Sequence, residues 1–585
     1  PAGKALETQF ELAETYPKAS VGFAVGVLPA ATEPSAIVAS MTAIVSDYAQ
    51  KGLPLELVDA AKRSEIASAE FQRNSIPDLA ATWSQALAAE GRQSPDEDVD
   101  AIRRVTVADV NRVAKQYLVG DNSITATLIP KPSGEPVSSK GFGGGEQLTS
   151  APTKPVTLPP WAESVLSSLQ IPKSTQTWTD ATLPNGIRLV VNTERTSPTI
   201  TVLGNVRHEP RLQTPAGKDG VADVLGELFS YGTKSLDRLA FQKALDDIAA
   251  NETAGYDFSL KVLKGDFSRG VELLADNLLQ PALPAEAFAV VKGQTAEFVE
   301  GELKSPGHRA DRALRTGLLP ANDPGLREAT PETVSVLTLD DVKRYHAETF
   351  RPDLTTIVVI GDITPADAKV AITKWFGGWK ASSPKPLLDL PSVPPNAAAE
   401  VAVPDPSAVQ ASVMLAHEVG LTRFDRDYYA LQLGNHVLGG GFYATRLYHD
   451  LRQEAGLVYT VDDNLTSNRT RSVYSVSYGC DPPNVSKARD LIVRDLRSMQ
   501  TTNVTAQELH QAKALLLRQM PLRESSEEAV AGGLLGRAQI GLPLDEPARS
   551  AERYFSMTAD EVRAAFAKWI RPDGFVQVVR GPASR

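Results

Sequence analysis

The apolar positions fall into two rhythms that succeed one another along the chain. From Phe23 they recur every second residue, break at a Pro-bearing loop, and resume at i, i+3 and i+4. A period of two predicts a strand, and the wider spacing predicts an amphipathic helix. The same succession returns from Tyr474. The two stretches, Phe23–Lys62 and Tyr474–Lys513, are 40 residues each and stand 451 apart without a gap. Each predicts a second helix after a short loop, starting at Glu56 or Glu508. T-V-A-D-V at Thr106–Val110 matches T-A-D-E-V at Thr558–Val562 at an offset of 452. In both, Thr followed by an acidic residue predicts a helix cap. L-T-L-D-D-V at Leu337–Val342, ahead of R-P-D-L-T-T-I-V-V-I-G-D at Arg351–Asp362, is a third relative. The pattern describes at least three copies of one α+β unit.

Between the copies, Lys131–Pro160 is rich in Gly, Pro, Ser and Thr and predicts an exposed linker. A short helical patch at Trp161–Leu169 and a strand–turn signal at Thr182–Val191 follow it. A Pro-rich seam, Pro384–Pro404, precedes the last copy. These signals divide the chain into residues 1–130, 131–175, 176–395 and 396–585. A length of 585 residues has room for roughly four domains. With 42% hydrophobic residues the chain can bury an ample core, which excludes fibrous and mostly disordered classes. The 60 Lys and Arg against 71 Asp and Glu, with no long basic run, argue against a nucleic-acid partner. No apolar run reaches the ~18 residues that a membrane span needs. Cys480 is the sole cysteine, so neither an internal disulfide nor a Cys-rich zinc site can form. Pro1 has no charged-then-apolar leader behind it, so a targeting signal is expected to be removed or to lie outside this sequence.

Several segments carry a resemblance. T-L-P-N-G-I-R-L-V-V at Thr182–Val191, the Gly220–Thr233 stretch and Arg351–Asp362 resemble the pitrilysin (insulinase-like) metallopeptidase family. So do L-G-G-G-F-Y-A-T-R-L at Leu438–Leu447 and L-R-Q-E-A-G-L-V-Y at Leu451–Tyr459. The resemblance implies an α+β fold of repeated subdomains, each an antiparallel-rich sheet with helices on one face. Two such subdomains make a half, and two halves close around a peptide. The chemistry of that family needs H-x-x-E-H, whose histidines share one helical face and hold zinc while the Glu acts as general base. Here Asp223 stands for the first His, Gly226 for the Glu and Glu227 for the second His. The seven histidines are His208, His308, His346, His417, His436, His449 and His510, and no two are closer than 13 residues. Asp223 with Glu227, or Glu297, Glu300 and Glu302, read either as a hard-cation site or, more simply, as solvated acidic faces.

In catalytic relatives an Arg and a Tyr from the half without zinc reach the substrate and the developing oxyanion. The matching positions are Arg452 and Tyr459. A guanidinium offers a rigid fork of donors to a carbonyl or carboxylate, and a phenol donates to developing charge. Gly439, Gly440 and Gly441 allow either a close approach of backbone or a plain flexible loop. His436 and His449 flank the region and read as packed or surface side chains.

Subtracting 451 from Arg452 gives position 1, so the equivalents of residues 176–451 are expected to lie elsewhere. On this reading residues 1–130 are a partial last subdomain of a first half and 131–175 a linker. Residues 176–395 are then a third subdomain without the zinc motif, and 396–585 a fourth with the Arg/Tyr pair. The sequence thus reads as the C-terminal, substrate-clamping portion of a zinc endopeptidase, itself without catalytic residues, metal or cofactor. Zinc is expected in a missing first half or a partner subunit. The alternative is a noncatalytic companion, scaffold or peptide-binding protein of the same fold, with a homodimer as a further arrangement. The resemblance implies a periplasmic or exported location, with the cytoplasm as the alternative.

Overall fold

Three groups of strands organise the described residues, which in this computed structural model are 5, 7–16, 19–28, 32–118, 123–129, 159–441 and 444–582. The first is a hairpin of β1 (Glu7–Tyr16) and β2 (Ala19–Val27). The second comprises β3 (Thr179–Thr182), β4 (Arg188–Thr193), β5 (Thr199–Val206), β6 (Asn251–Thr253), β7 (Asp257–Leu263) and β8 (Thr355–Gly361), in the order β3-β4-β8-β5-β7-β6. The third comprises β9 (Ala399–Pro404), β10 (Ala411–Val419), β11 (Val458–Ser467), β12 (Ser472–Cys480) and β13 (Val576–Gly581), in the order β11-β12-β10-β13-β9. Both large sheets are antiparallel apart from one parallel pair each, β4 with β8 and β9 with β13.

Strand β8 shows why the larger sheet sits inside the protein. Its run T-T-I-V-V-I-G is β-branched at every position before Gly361, the composition of a strand covered on both faces. Ile357 and Val359 pack under the sheet's own helices, including Phe267–Leu279 and Pro365–Phe376. Val358 and Ile360, with Val190 of β4, pack on the other side against Val530, Ala531 and Leu534 of the helix Glu527–Ile540. The five-stranded sheet is treated in the same way. Its own helices, among them Tyr428–Leu438, Val485–Thr501 and Ala559–Trp569, cover one face. The helix Pro306–Leu318 from the preceding unit covers Val576 and Val578 on the other. One-sided covering therefore describes each unit's own helices, while the second face of each sheet takes one helix from the other unit.

Local chemistry sets the helix starts. Thr106 with Asp109, Thr338 with Asp341 and Thr558 with Glu561 each close a reciprocal capping box. Thr505 does the same with Glu508, so that helix begins at Ala506 and Glu508 is its third residue.

The elements also keep the spacing seen in the sequence. Strand β1 starts at Glu7 and β11 at Val458, and the helices after them start at Pro34 and Val485, a separation of 451 in both cases. Ser75 forms an isolated antiparallel bridge with Ser526, its own counterpart at that spacing. Ile76 N donates to Ser525 O at 2.9 Å and Glu527 N to Asn74 O at 3.2 Å, so the exchange is reciprocal.

Linker residues 131–158 lie outside the described residues. The helix that follows, Pro160–Ser167, rests on the last unit, with His510 Nε2 2.8 Å from Leu166 O.

Candidate functional site

Residues Tyr448–Glu454 form a π-helical turn, closed by Ala455 N donating five residues back to Asp450 O at 3.1 Å. Leu451 anchors the turn in the core and Arg452 leaves it toward the start of β11. Arg452 Nη1 donates to Val458 O at 3.1 Å, and its guanidinium carbon lies 5.9 Å from the centre of the Tyr459 ring. The pairing of β11 with β12 shifts register between Val458 and Thr460, and this bulge turns Tyr459 outward. Its hydroxyl donates to Asp481 Oδ1 at 3.1 Å. Loss of water, and then the Asp481 carboxylate, raise the Tyr459 phenol above its ordinary pKa, against the opposing Arg452 charge. The structure thus brings Arg452, from the turn, and Tyr459 together at the start of β11, an edge strand of its sheet.

The glycines beside this turn are held by the protein itself. A Cβ on Gly439 would stand 2.9 Å from both the backbone N and Oδ1 of Asp463, and one on Gly441 would stand 2.5 Å from His436 O. Close approach, rather than looseness, is what requires glycine here. Asp463 is buried beneath this bend, where Tyr474 Oη donates to its Oδ2 at 2.7 Å. No donor reaches Oδ1, and loss of water pushes the carboxyl up to about 8. Sequence reasoning missed Asp463, Tyr474 and Asp481. Asp463 had a signal, since it occupies an inward position between buried Val461 and Leu465 in the period-two strand.

Asp223, Gly226 and Glu227 lie on the exposed face of the helix Val221–Leu228, over the other sheet. Loss of water, and then the Glu227 charge one turn away, raise the Asp223 carboxyl above its ordinary pKa. A Cβ on Gly226 would meet nothing within 4 Å, so nothing in the fold calls for glycine there. Two carboxylates without an imidazole do not fit a zinc ion of the H-x-x-E-H type. No group of three or more His, Cys, Asp or Glu side chains able to hold a metal occurs among the described residues.

The histidines have structural partners. His208 stacks on Tyr256 at 3.4 Å, and burial lowers its pKa to about 4. His417 is buried, 3.0 Å from Glu418 O through Nδ1, and its Nε2 accepts from Arg571 N at 3.2 Å. His436 and His346 each hold a backbone carbonyl, at 2.9 Å. His449, exposed, sits 2.7 Å from Asp450.

A family model described as "Peptidase M16 inactive domain" matches residues 337–516, a span that contains β9–β12, the glycine bend and the Arg452 turn. The chain carries an M16 inactive domain. An uncharacterized zinc protease of Streptomyces coelicolor is 24% identical to this chain over 399 residues, 66% of the chain and 85% of that protein. The solved M16 inactive domain of Pseudomonas fluorescens superposes with a TM-score of 0.61 at 23% identity, over 70% of this chain and 98% of its own. The periplasmic protease PqqL of Escherichia coli does so at 0.61 and 14%, over 99% of this chain and 67% of its own. These structures share the fold. No helix among the described residues is long and apolar enough to cross a membrane.

Proposed function

We propose that this M16 chain is the noncatalytic, peptide-holding wall of a peptidase chamber, with zinc supplied by polypeptide outside these 585 residues. The observation that carries the reading is the pairing of two facts. The zinc-motif positions hold Asp223, Gly226 and Glu227, while Arg452 and Tyr459 converge at an open sheet edge. An extended peptide adding to β11 would find backbone partners along the strand, which gives affinity with little sequence demand. At one end the Arg452 guanidinium would meet a peptide carbonyl or carboxylate. The Tyr459 hydroxyl would exchange Asp481 for the peptide. A companion subunit of a zinc-bearing chain is the form of this reading that the Arg/Tyr pair favours over a pure scaffold, which has no use for the pair. The likeness to a periplasmic protease supports a periplasmic location.

The test is calorimetric titration of the chain with an unstructured peptide of about 20 residues. A charge-assisted hydrogen bond contributes about 1.5–3 kcal/mol, so Arg452→Ala should weaken binding roughly 10- to 100-fold. Affinity that is the same in the wild type, Arg452→Ala and Tyr459→Phe refutes the site.

A further inference from the structure

The helices over the six-stranded sheet leave an open cleft of about 1040 Å³ between them. Lys343, His346 and Ala347 share one face of the helix Leu339–Thr349 and form one wall. Glu272, Leu273, Asp276 and Leu279 share one face of Phe267–Leu279 and form the next. The end of the helix Pro365–Phe376 and the turn after it bring Trp375, Trp379 and Lys380. Asn185, in the turn between β3 and β4, pins that wall, its Nδ2 donating to Phe376 O at 2.9 Å and to Trp379 O at 3.3 Å. Two loops stapled to each other close the remaining side. There Lys234 N donates to Gln280 O at 2.9 Å and Ala282 N to Gly232 O at 3.0 Å.

The charge of the cleft runs against that of the chain. Lys234, Arg269, Lys343 and Lys380 line it against Glu272 and Asp276, a net of two positive charges in a protein whose formal net charge is −11. Both carboxylates are already engaged, Glu272 with Arg269 at 3.0 Å and Asp276 with the Ser235 hydroxyl at 2.5 Å. Lys234 Nζ donates to the neutral Gln280 amide at 2.7 Å, and among the described residues no partner holds Lys343 or Lys380. His346 adds no charge, because burial lowers its pKa and its Nε2 donates to Leu278 O. An anion entering the cleft meets ammonium groups that nothing else neutralises. The rest of the lining is aromatic and apolar, with Trp375, Trp379 and Phe350 around the same space as buried Leu273 and Leu283. Lys374 Nζ, 4.4 Å from the centre of the Trp375 ring, adds a further cation beside it.

We infer that this cleft is a binding site for a small aromatic anion, a planar ring that carries a phosphate or carboxylate group. The ring lies against the indoles of Trp375 and Trp379, and the anionic group meets Lys343 and Lys380. The volume and the walls on every side suit a small ligand rather than an extended chain. Arg452 and Tyr459 stand by the other sheet, so the site holds whether or not this chain takes peptide at β11.

Calorimetric titration of the purified protein with naphthyl phosphate, and separately with naphthoate, tests the site. The expected result is a single site per chain for at least one of these probes, and the tighter of the two tells a phosphate ligand from a carboxylate. Naphthol, the ring without the charge, and inorganic phosphate, the charge without the ring, should each bind at least about tenfold more weakly. Joint replacement Lys343→Ala and Lys380→Ala should weaken the better probe at least about tenfold. Lys369→Ala, an exposed lysine of the helix Pro365–Phe376 outside the cleft, should leave its affinity unchanged. Ala347→Trp should fill the cleft and abolish binding. Lys343, Ala347 and Lys380 are exposed, so these variants should melt with the wild type. The inference is overturned if neither probe binds, or if the lysine double variant or Ala347→Trp binds as tightly as the wild type. Naphthol or inorganic phosphate binding as tightly as the better probe overturns it too.

Discussion

Asp463→Asn should make the protein less sensitive to a rise in pH between about 4 and 8, and the size of the effect follows from the carboxyl's burial. In the fold, loss of water holds this group protonated up to about pH 8, against the opposing hydrogen bond that the Tyr474 hydroxyl donates to it. In the unfolded chain an ordinary Asp ionises near 3.9. The folded pKa is raised, so the contribution to stability is fully present below about pH 4 and is lost as pH rises toward about 8. Inside that window each pH unit costs the fold about 1.4 kcal/mol through this one group. Asn has the shape of the protonated acid and does not titrate. Between about pH 5.5 and 7.5, the wild type should therefore lose about 2–3 kcal/mol more than the variant. Glu252 and Glu527, also pushed up to about 8 by burial, give a background of the same sign that cancels between the two proteins. Urea unfolding followed by circular dichroism at the two pH values measures the difference. Parallel pH dependence in the two proteins refutes the argument, because it means that Asp463 is already ionised in the fold.

Other substitutions test the packing. Gly226→Ala, in an open helical position, should raise stability by about 1 kcal/mol. Gly439→Ala, against the backbone of Asp463, should lower it by about 1–3 kcal/mol, and thermal melts of the pair check the contrast. Leu534→Ala removes a side chain that joins the last unit to the six-stranded sheet and should cost about 2–5 kcal/mol by urea titration. Arg351 is buried with its guanidinium forked onto Asp353 at 3.0 and 2.9 Å, so Arg351→Ala should cost about 3–5 kcal/mol, measured in the same way.

Much of the fold was legible because its signals are local. Alternation in Y-S-V-S-Y-G-C became β12, and the Thr–acid pairs became capping boxes. The resemblance carried the α+β, mostly antiparallel architecture and placed Arg452 and Tyr459 in neighbouring segments, where the bulge at the start of β11 brings their side chains together. What stayed hidden depends on contacts between distant residues. An amphipathic helix announces that it will be buried but not against what, so the exchange of Pro306–Leu318 and Glu527–Ile540 between the two sheets could not be read. The sequence left Gly439–Gly441 undecided between a loop and a close approach. The side chain that decides it is Asp463, and only the strand pairing of β11 places it under Gly439. Asp481 likewise reaches Tyr459 only because β12 returns beside β11.

The central claim is that this chain holds peptide but not the metal. Equilibrium dialysis of the purified protein against zinc, read by elemental mass spectrometry, tests that claim most directly. The account predicts no stoichiometric zinc, and no change on Glu227→Gln. About one tightly held zinc per chain, lost in Glu227→Gln, would contradict it and put a metal centre back on the helix Val221–Leu228.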